Sequence, residues 1–182
     1  MRMALFSLAL ASLLELTPDQ LPAQHAEIPQ ANGTDAAFVS GMIAHHAQAV
    51  TMAALVPSRT SRGDLRLLAE RIDVSQRDEI AMLRRWLAKR QVSDEHAGHH
   101  ALMPGMLTEQ QLAELGQAKG PQFDRLFLED MIRHHEGALT MVAELLASKD
   151  GGKEPEIFSF ATGVDADQRA EIRRMRAMLS TP

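Results

Sequence analysis

The chain has 182 residues, of which 45% are hydrophobic and 24% charged, and its formal net charge is -5. These values are ordinary for one soluble globular domain with a sizeable core, and the slight negative charge argues against nucleic-acid binding, which usually needs a basic surface. Because the sequence contains 11 methionines and no cysteine, disulfides and thiolate metal sites are excluded, and any soft metal ligand must be a methionine thioether.

The first 16 residues are expected to be a signal peptide. Arg2 precedes an apolar run from Met3 to Leu14, which is too short to span a bilayer but has the length of a signal-peptide core. The alternative is an apolar N-terminal helix that packs on the body of the protein. Residues 17–34 contain three prolines and many polar residues, so they are predicted to form a linker. The sequence thus favours export to the periplasm or another extracytoplasmic space, with no stable membrane span in the mature chain.

Four long helices are predicted in residues 35–182, which we expect to form a single domain. The first should run from an N-cap at Asp35 or Thr34 to about Val56, with Pro57 marking its end. The others should cover about 64–90, 122–148 and 156–180. No segment alternates with period two for long enough to predict a strand, and the links within each helix pair are short. The pattern therefore predicts an all-α, antiparallel four-helix bundle.

A short additional helix is predicted between the second and third long helices. Thr108 and Gln111 resemble a capping box at its start, and it should end at about Lys119. Gly120 and Pro121 are expected to break the chain after it.

The long helices form two copies of one unit. Residues 35–52 read DAAFVSGMIAHHAQAVTM and residues 124–141 read DRLFLEDMIRHHEGALTM, with nine of 18 positions identical at an offset of 89. A shorter motif follows each copy, QRDEI at 76–80 and QRAEI at 168–172. We therefore assign repeat one to 35–91, a His- and Met-containing loop with the short helix to 92–120, and repeat two to 121–182. A repeat that duplicates histidines together with hydrophobic positions suggests a duplicated site.

Both histidines of each copy lie within the apolar arc of their helix. At about 100° per residue, His45 lies in line with Phe38 and Met42, and His46 lies beside it on the same arc. Buried imidazoles need hydrogen-bond partners or a metal. The polar residues of the shorter motif are expected to face them, either as structural partners or to orient them for a metal. These residues are Gln76, Glu79, Gln168 and Glu171.

Two sets of candidate metal ligands follow. The bundle set recurs in both copies and contains Met42, His45, His46, Met52, Met131, His134, His135 and Met141. The loop set contains His96, His99, His100, Met103 and Met106. Short His-rich tracts favour metal binding, and imidazole with thioether but no thiolate suits copper better than zinc, calcium or magnesium. Alternatively, the methionine stripe is adaptable core filler and the loop is merely solvated.

The motifs M-I-x-H-H, Q-x-x-E-I, M-P-G-M and the second M-I-x-H-H resemble a bacterial family known only as a domain of unknown function. The resemblance covers about residues 35–180. It implies a ferritin-like four-helix bundle and, from the better-understood members, an exported copper-binding protein that uses His and Met in copper tolerance. The eight bundle candidates match its repeated motif, and Met103 and Met106 match its M-P-G-M segment. The chain departs from the pattern at Leu83, where the family tends to have methionine, and Met82 is displaced by one position.

The sequence favours a non-catalytic protein of the cell envelope that buffers or chaperones Cu(I) or Cu(II), with metal ions and another envelope copper protein as candidate partners. One alternative is a ferritin-like di-iron protein. Such a site needs Glu-x-x-His on two helices, but Met42 and Met131 occupy the positions of those glutamates. The other alternative is a structural bundle without metal. Because no motif typical of nucleophilic catalysis or phosphate binding is present, an enzyme is not expected.

Overall fold

The computed structural model describes residues 31–93 and 103–180. It contains five α-helices and, within these ranges, no strand: α1 (Gly33–Arg59), α2 (Gly63–Lys89), α3 (Glu109–Gln117), α4 (Gly120–Ala147) and α5 (Pro155–Leu179). Helices α1 and α2 pack as one pair, α4 and α5 as the other, and α1 packs on α4 to join the pairs. The predicted all-α bundle with a short extra helix is confirmed. The expected signal peptide and the loop histidines His96, His99 and His100 lie outside the described residues.

Helix α1 begins earlier than the sequence predicted. Its N-cap is Asn32, whose side-chain oxygen accepts a hydrogen bond of 2.8 Å from the backbone N–H of Asp35. The carboxylate of Asp35 is buried and accepts hydrogen bonds from the N–H groups of Gly152 and Glu154, at 2.6 and 3.3 Å. The expected cap at Thr34 or Asp35 was wrong because Asp35 binds the chain before α5, a long-range contact that the local pattern does not reveal.

Two prolines lie inside helices rather than at the predicted breaks. Helix α1 continues through Pro57 to Arg59, since a proline in the last turn removes only one intrahelical hydrogen bond. Gly120 and Pro121 begin α4 instead of breaking the chain before it. Proline is favoured in a first turn because the N–H that it lacks would have no helical partner there.

The predicted capping box of the short helix is confirmed. The N–H of Gln111 donates to the Thr108 hydroxyl oxygen, and the Gln111 side chain accepts from the Thr108 N–H. The helix ends at Gln117, two residues before the predicted Lys119.

A layer of buried polar side chains divides the hydrophobic core into two apolar clusters. The lower cluster is built around Leu68, Phe123 and Phe127, and the upper cluster around Trp86 and Phe160. On each long helix, polar residues separate the members of the two clusters. We call this set the polar layer; it comprises His45, His46, Gln76, His134, His135 and Gln168. Because the repeat places the same residue types at the same height in both helix pairs, the layer crosses the whole bundle.

Helix α1 is long and apolar enough to cross a membrane by length and composition. However, 61% of its most apolar 18-residue stretch is buried inside the bundle. It also carries two of the buried histidines of the polar layer. These features are typical of a core helix of a globular domain.

A short stretch of chain, residues 103–107, lies between α1 and α4 at the polar layer, and we call it the docked segment. A side chain at Gly137 would place its Cβ 1.9 Å from the carbonyl oxygen of Pro104, and a side chain at Gly105 would place its Cβ 2.4 Å from that of Arg133. Gly105 also has a φ of 77°, which glycine adopts without steric cost. The segment therefore reaches α4 only because both positions are glycine.

The variant Gly137→Ala should lower the free energy of unfolding by about 1–3 kcal/mol, because the added methyl group would meet rigid backbone. Gly163→Ala is the matched control, since nothing lies within 4 Å of a Cβ at that position in α5. The control should be neutral or more stable by up to about 1 kcal/mol. Urea unfolding of the metal-free proteins measures both changes, and equal stabilities of the two variants would contradict the close approach.

Candidate metal centre

The outer histidine of each pair is hydrogen-bonded to a glutamate of the neighbouring helix. His46 Nε2 lies 2.6 Å from a carboxylate oxygen of Glu79, and His135 Nε2 lies 2.7 Å from one of Glu171. Both imidazoles are fully buried, whereas the two glutamate side chains are about a quarter exposed. The repeated motif thus brings together the same histidine–glutamate pair twice, once in each helix pair.

The inner histidines use backbone carbonyl groups instead. His45 Nε2 lies 3.0 Å from the carbonyl oxygen of Pro104, and His134 Nε2 lies 2.9 Å from that of His45. The two rings are in contact, with centroids 3.8 Å apart and planes inclined by 38°. This contact holds α1 against α4 at the centre of the bundle.

These partners determine where each imidazole carries its proton. Carbonyl and carboxylate oxygens accept hydrogen bonds, so Nε2 must be the donor in all four rings. None of the four Nδ1 atoms has a hydrogen-bond partner among the described residues. An unprotonated Nδ1 can accept a hydrogen bond from water or bind a metal ion.

Burial keeps the inner pair neutral. Desolvation, followed by the nearby His46, lowers the pKa of His45 to about 3. Desolvation, followed by the adjacent His45, also lowers the pKa of His134 well below its usual value. Neutral imidazole is the form that binds metals, so neither ring needs to lose a proton before it can act as a ligand.

The two glutamines of the polar layer are placed differently from the two glutamates. The oxygen of Gln76 and both side-chain polar atoms of Gln168 are buried without a hydrogen-bond partner in the described structure. The glutamates bind the histidines because they lie three residues further along each helix. The sequence could not distinguish the two residue types, since both belong to the same duplicated motif.

The side chains of two methionines, Met103 and Met141, both lie over Gly41, one turn before His45. A Cβ on Gly41 would lie 3.2 Å from the sulfur of Met103 and 3.4 Å from the methyl carbon of Met141. Met141 comes from α4, and Met103 is the first residue of the docked segment. The structure therefore brings together one methionine of the bundle set and one of the loop set.

The other predicted ligands are distributed differently. Met52 and Met131 are fully buried in the lower apolar cluster, and Met42 is fully buried in the upper one. Met106 is half-buried within the docked segment. Within the described ranges, no three His, Asp or Glu side chains converge as a preformed metal site.

Helix α2 places its own methionine away from these groups. Leu83, where the resemblance implies methionine, is fully buried, whereas Met82 is 38% exposed. Met82 lines a groove between α2 and α5, together with Trp86 and Phe160. The shift by one position therefore moves the thioether from the core to the surface.

The sequence reading missed four residues that hold the docked segment: Gly41, Gln48, Gly105 and Gly137. A signal for three of them was present in the repeat. Gly41 corresponds to Asp130 and Gln48 to Gly137 at the offset of 89, so these are positions at which the copies differ in chemical character.

The chain matches one family model and several solved structures. The model of the domain of unknown function DUF305 matches residues 35–179. A DUF305 fragment from Deinococcus radiodurans is 32% identical with a TM-score of 0.75, over 85% of this chain and all of that one. A DUF305 protein from Streptomyces coelicolor, described as secreted, is 30% identical with a TM-score of 0.71. The match covers 81% of this chain and 92% of that one.

The protein CopM is also similar in structure. Its Cu(I)-bound form is 27% identical with a TM-score of 0.66, over 82% of this chain and 97% of that one. Its Cu(II)-bound form matches at 28% identity with the same TM-score. No curated protein sequence matches this chain.

The low pKa of His45 should make the metal-free protein sensitive to acid. In the unfolded chain, His45 binds a proton below its usual pKa of 6.5. In the folded protein it does so only at about pH 3. The free energy of unfolding should therefore fall with falling pH in this range, by about 1.4 kcal/mol per pH unit from this residue. Urea unfolding measures this slope between pH 6 and pH 4. In His45→Gln, the free energy of unfolding should depend on pH less steeply than in the wild type, by about that amount. Parallel curves for the two proteins would contradict a neutral, desolvated His45.

Proposed function

The chain belongs to the DUF305 family, and we propose that it is an exported copper-binding protein that buffers or delivers copper in metal tolerance. The observation that carries this proposal is the meeting of Met103 and Met141 over Gly41. Met103 also follows the His-rich stretch that ends at His100 by only three residues in sequence. The predicted histidine ligands are thus close in sequence to Met103, one of the two methionines that lie over Gly41.

The chemistry of these donors suits copper. Thioethers are soft ligands that favour Cu(I), and imidazole binds both Cu(I) and Cu(II). Calcium and magnesium prefer oxygen ligands, whereas the groups that lie against Gly41 are two methionine side chains. Met103 is half-buried, and it is the first residue of the docked segment. Met103 and Met141 are the proposed principal thioether ligands, with the loop histidines as the proposed capture groups.

The polar layer offers a second set of nitrogen donors. A carboxylate bonded to Nε2 fixes the tautomer of an imidazole and makes its other nitrogen a stronger ligand. Glu79 holds His46 in this way and Glu171 holds His135. His46 and His135 are therefore candidate nitrogen ligands through Nδ1.

Two features of the similar proteins support the proposal. CopM binds copper in two oxidation states, and it shares the fold over nearly its whole length. The Streptomyces coelicolor protein is described as secreted, which agrees with the signal-like sequence of residues 1–16. Delivery to another envelope copper protein is part of the proposal and rests on the sequence reading alone.

The di-iron alternative receives less support from the geometry. Glu79 and Glu171 each bind a histidine of their own helix pair. The buried Asp130 is paired with Arg133. In the described part of the chain, no set of carboxylates and histidines therefore faces a common point, as a bundle di-iron site requires.

Replacing Met103 with leucine should weaken Cu(I) binding by at least about tenfold, because the sulfur is removed while the side-chain volume is retained; tenfold corresponds to about 1.4 kcal/mol. Met175→Leu is the control, since Met175 is fully buried in the lower cluster. Competition with a chromophoric Cu(I) chelator measures both affinities. Wild-type protein should prefer Cu(I) to Zn(II), and equal Cu(I) affinities of the two variants would exclude Met103 as a ligand.

Replacing His96, His99 and His100 together with alanine should reduce the copper bound per chain and leave the melting temperature of the metal-free protein nearly unchanged. Surface loop substitutions usually change stability by less than about 0.5 kcal/mol. Metal analysis after gel filtration and differential scanning calorimetry are the two measurements. An undiminished copper content would show that these histidines are not ligands.

A further inference from the structure

Gln48 binds the docked segment through both functions of its side-chain amide. Its oxygen accepts a hydrogen bond of 2.7 Å from the N–H of Leu107, and its nitrogen donates one of 2.9 Å to the carbonyl oxygen of the same residue. Leu107 is 59 residues away in sequence, and its side chain is buried in the lower cluster. One side chain on α1 thus fixes the end of the segment in both position and direction.

The rest of the segment is held from both sides. His45 on α1 binds the carbonyl oxygen of Pro104, and Gly105 lies directly against Gly137 on α4. With both Pro104 and Leu107 anchored, the chain has little freedom between them. Met103 is the next residue before Pro104, so the position of its sulfur over Gly41 depends on these anchors.

Only the first repeat has a face that can hold such a segment. The residue that corresponds to Gly41 is Asp130, which is buried and paired with Arg133. The residue that corresponds to Gln48 is Gly137, which has no side chain to bind a backbone. The methionine that corresponds to Met141 is Met52, which lies in the lower cluster.

The hydrogen bonds of the inner histidines show the same asymmetry. His134 donates to the carbonyl oxygen of His45, so exact twofold symmetry would have His45 donate to that of His134. His45 donates to Pro104 instead. The docked segment has replaced one of the two equivalent contacts, and its M-P-G-M sequence occurs once in the chain.

We propose that Gln48 is a positioning residue for the copper site, which it builds by holding Met103 over Gly41, and that the two repeats form one such site rather than two. The inference rests on the proposed function for the identity of the metal, but the positioning of Met103 is independent of it. Gln48 acts through Met103 and is not itself a ligand.

The first measurement needs no metal. Protein labelled with ¹³C at the methionine methyl groups gives one NMR signal per methionine. In Gln48→Leu, the Met103 signal should move toward the position of a solvent-exposed methionine. Thr51→Ala is the matched control, since Thr51 lies on the same helix and its hydroxyl binds only the carbonyl oxygen of Ala47. An unmoved Met103 signal in Gln48→Leu would overturn the positioning role.

The second measurement compares Cu(I) affinities in a double-mutant cycle. Gln48→Leu should bind Cu(I) about tenfold more weakly than wild type or Thr51→Ala. In a Met103→Leu background the same substitution should have little further effect, because the two residues act through one interaction. Additive losses would show that Gln48 supports only the general stability of the bundle, and would overturn its role in the site.

The number of sites is read from the same labelled protein. Addition of Cu(I) should shift the Met103 and Met141 signals and leave that of Met52 in place. A parallel shift of Met52 would indicate a second, symmetric site and would overturn the single-site proposal. If wild-type protein binds no Cu(I), the proposed function fails, whereas the metal-free Met103 signal still decides whether Gln48 positions that residue.

Discussion

A buried imidazole imposes one constraint on this fold: its single N–H must find an acceptor inside the apolar core. Four such rings occupy one layer, and their four acceptors are two glutamates and two backbone carbonyl groups. The arrangement of the helices and of the docked segment satisfies this requirement. The layer also separates the core into two apolar clusters, so that the register between helices is determined by polar contacts as well as by packing.

The same requirement explains why a duplicated sequence folds into an asymmetric site. The repeat supplies three of the four acceptors from its own helices, and Pro104 supplies the fourth. Pro104 can accept the bond from His45 because the docked segment lies between α1 and α4. Glycine at position 137 leaves room for the segment there. The thioether of Met103, from outside the repeat, then lies over Gly41, as does the side chain of Met141 from α4. The proposed copper site therefore depends on the hydrogen bond that His45 donates to Pro104.

Much of this structure follows from local sequence, and the remainder depends on distant contacts. Helical periodicity located the four long helices, and the repeat placed the histidines on buried arcs, because both are properties of neighbouring residues. The pairing of Glu79 with His46 was among the expected contacts because the repeat duplicates both residues together. The docked segment and the role of Asp35 were not foreseen, since each contact joins residues more than 50 positions apart. Gln48 was overlooked because its partner is a backbone group, which has no sequence signature.

The position of bound copper tests the central claim most directly. Crystals of the protein loaded anaerobically with Cu(I) would locate the metal by anomalous scattering at the copper edge. Our account requires a copper ion beside Gly41, within bonding distance of the sulfurs of Met103 and Met141, and no equivalent ion beside Asp130. Copper bound symmetrically at the two histidine–glutamate pairs, with none at Met103, would contradict it.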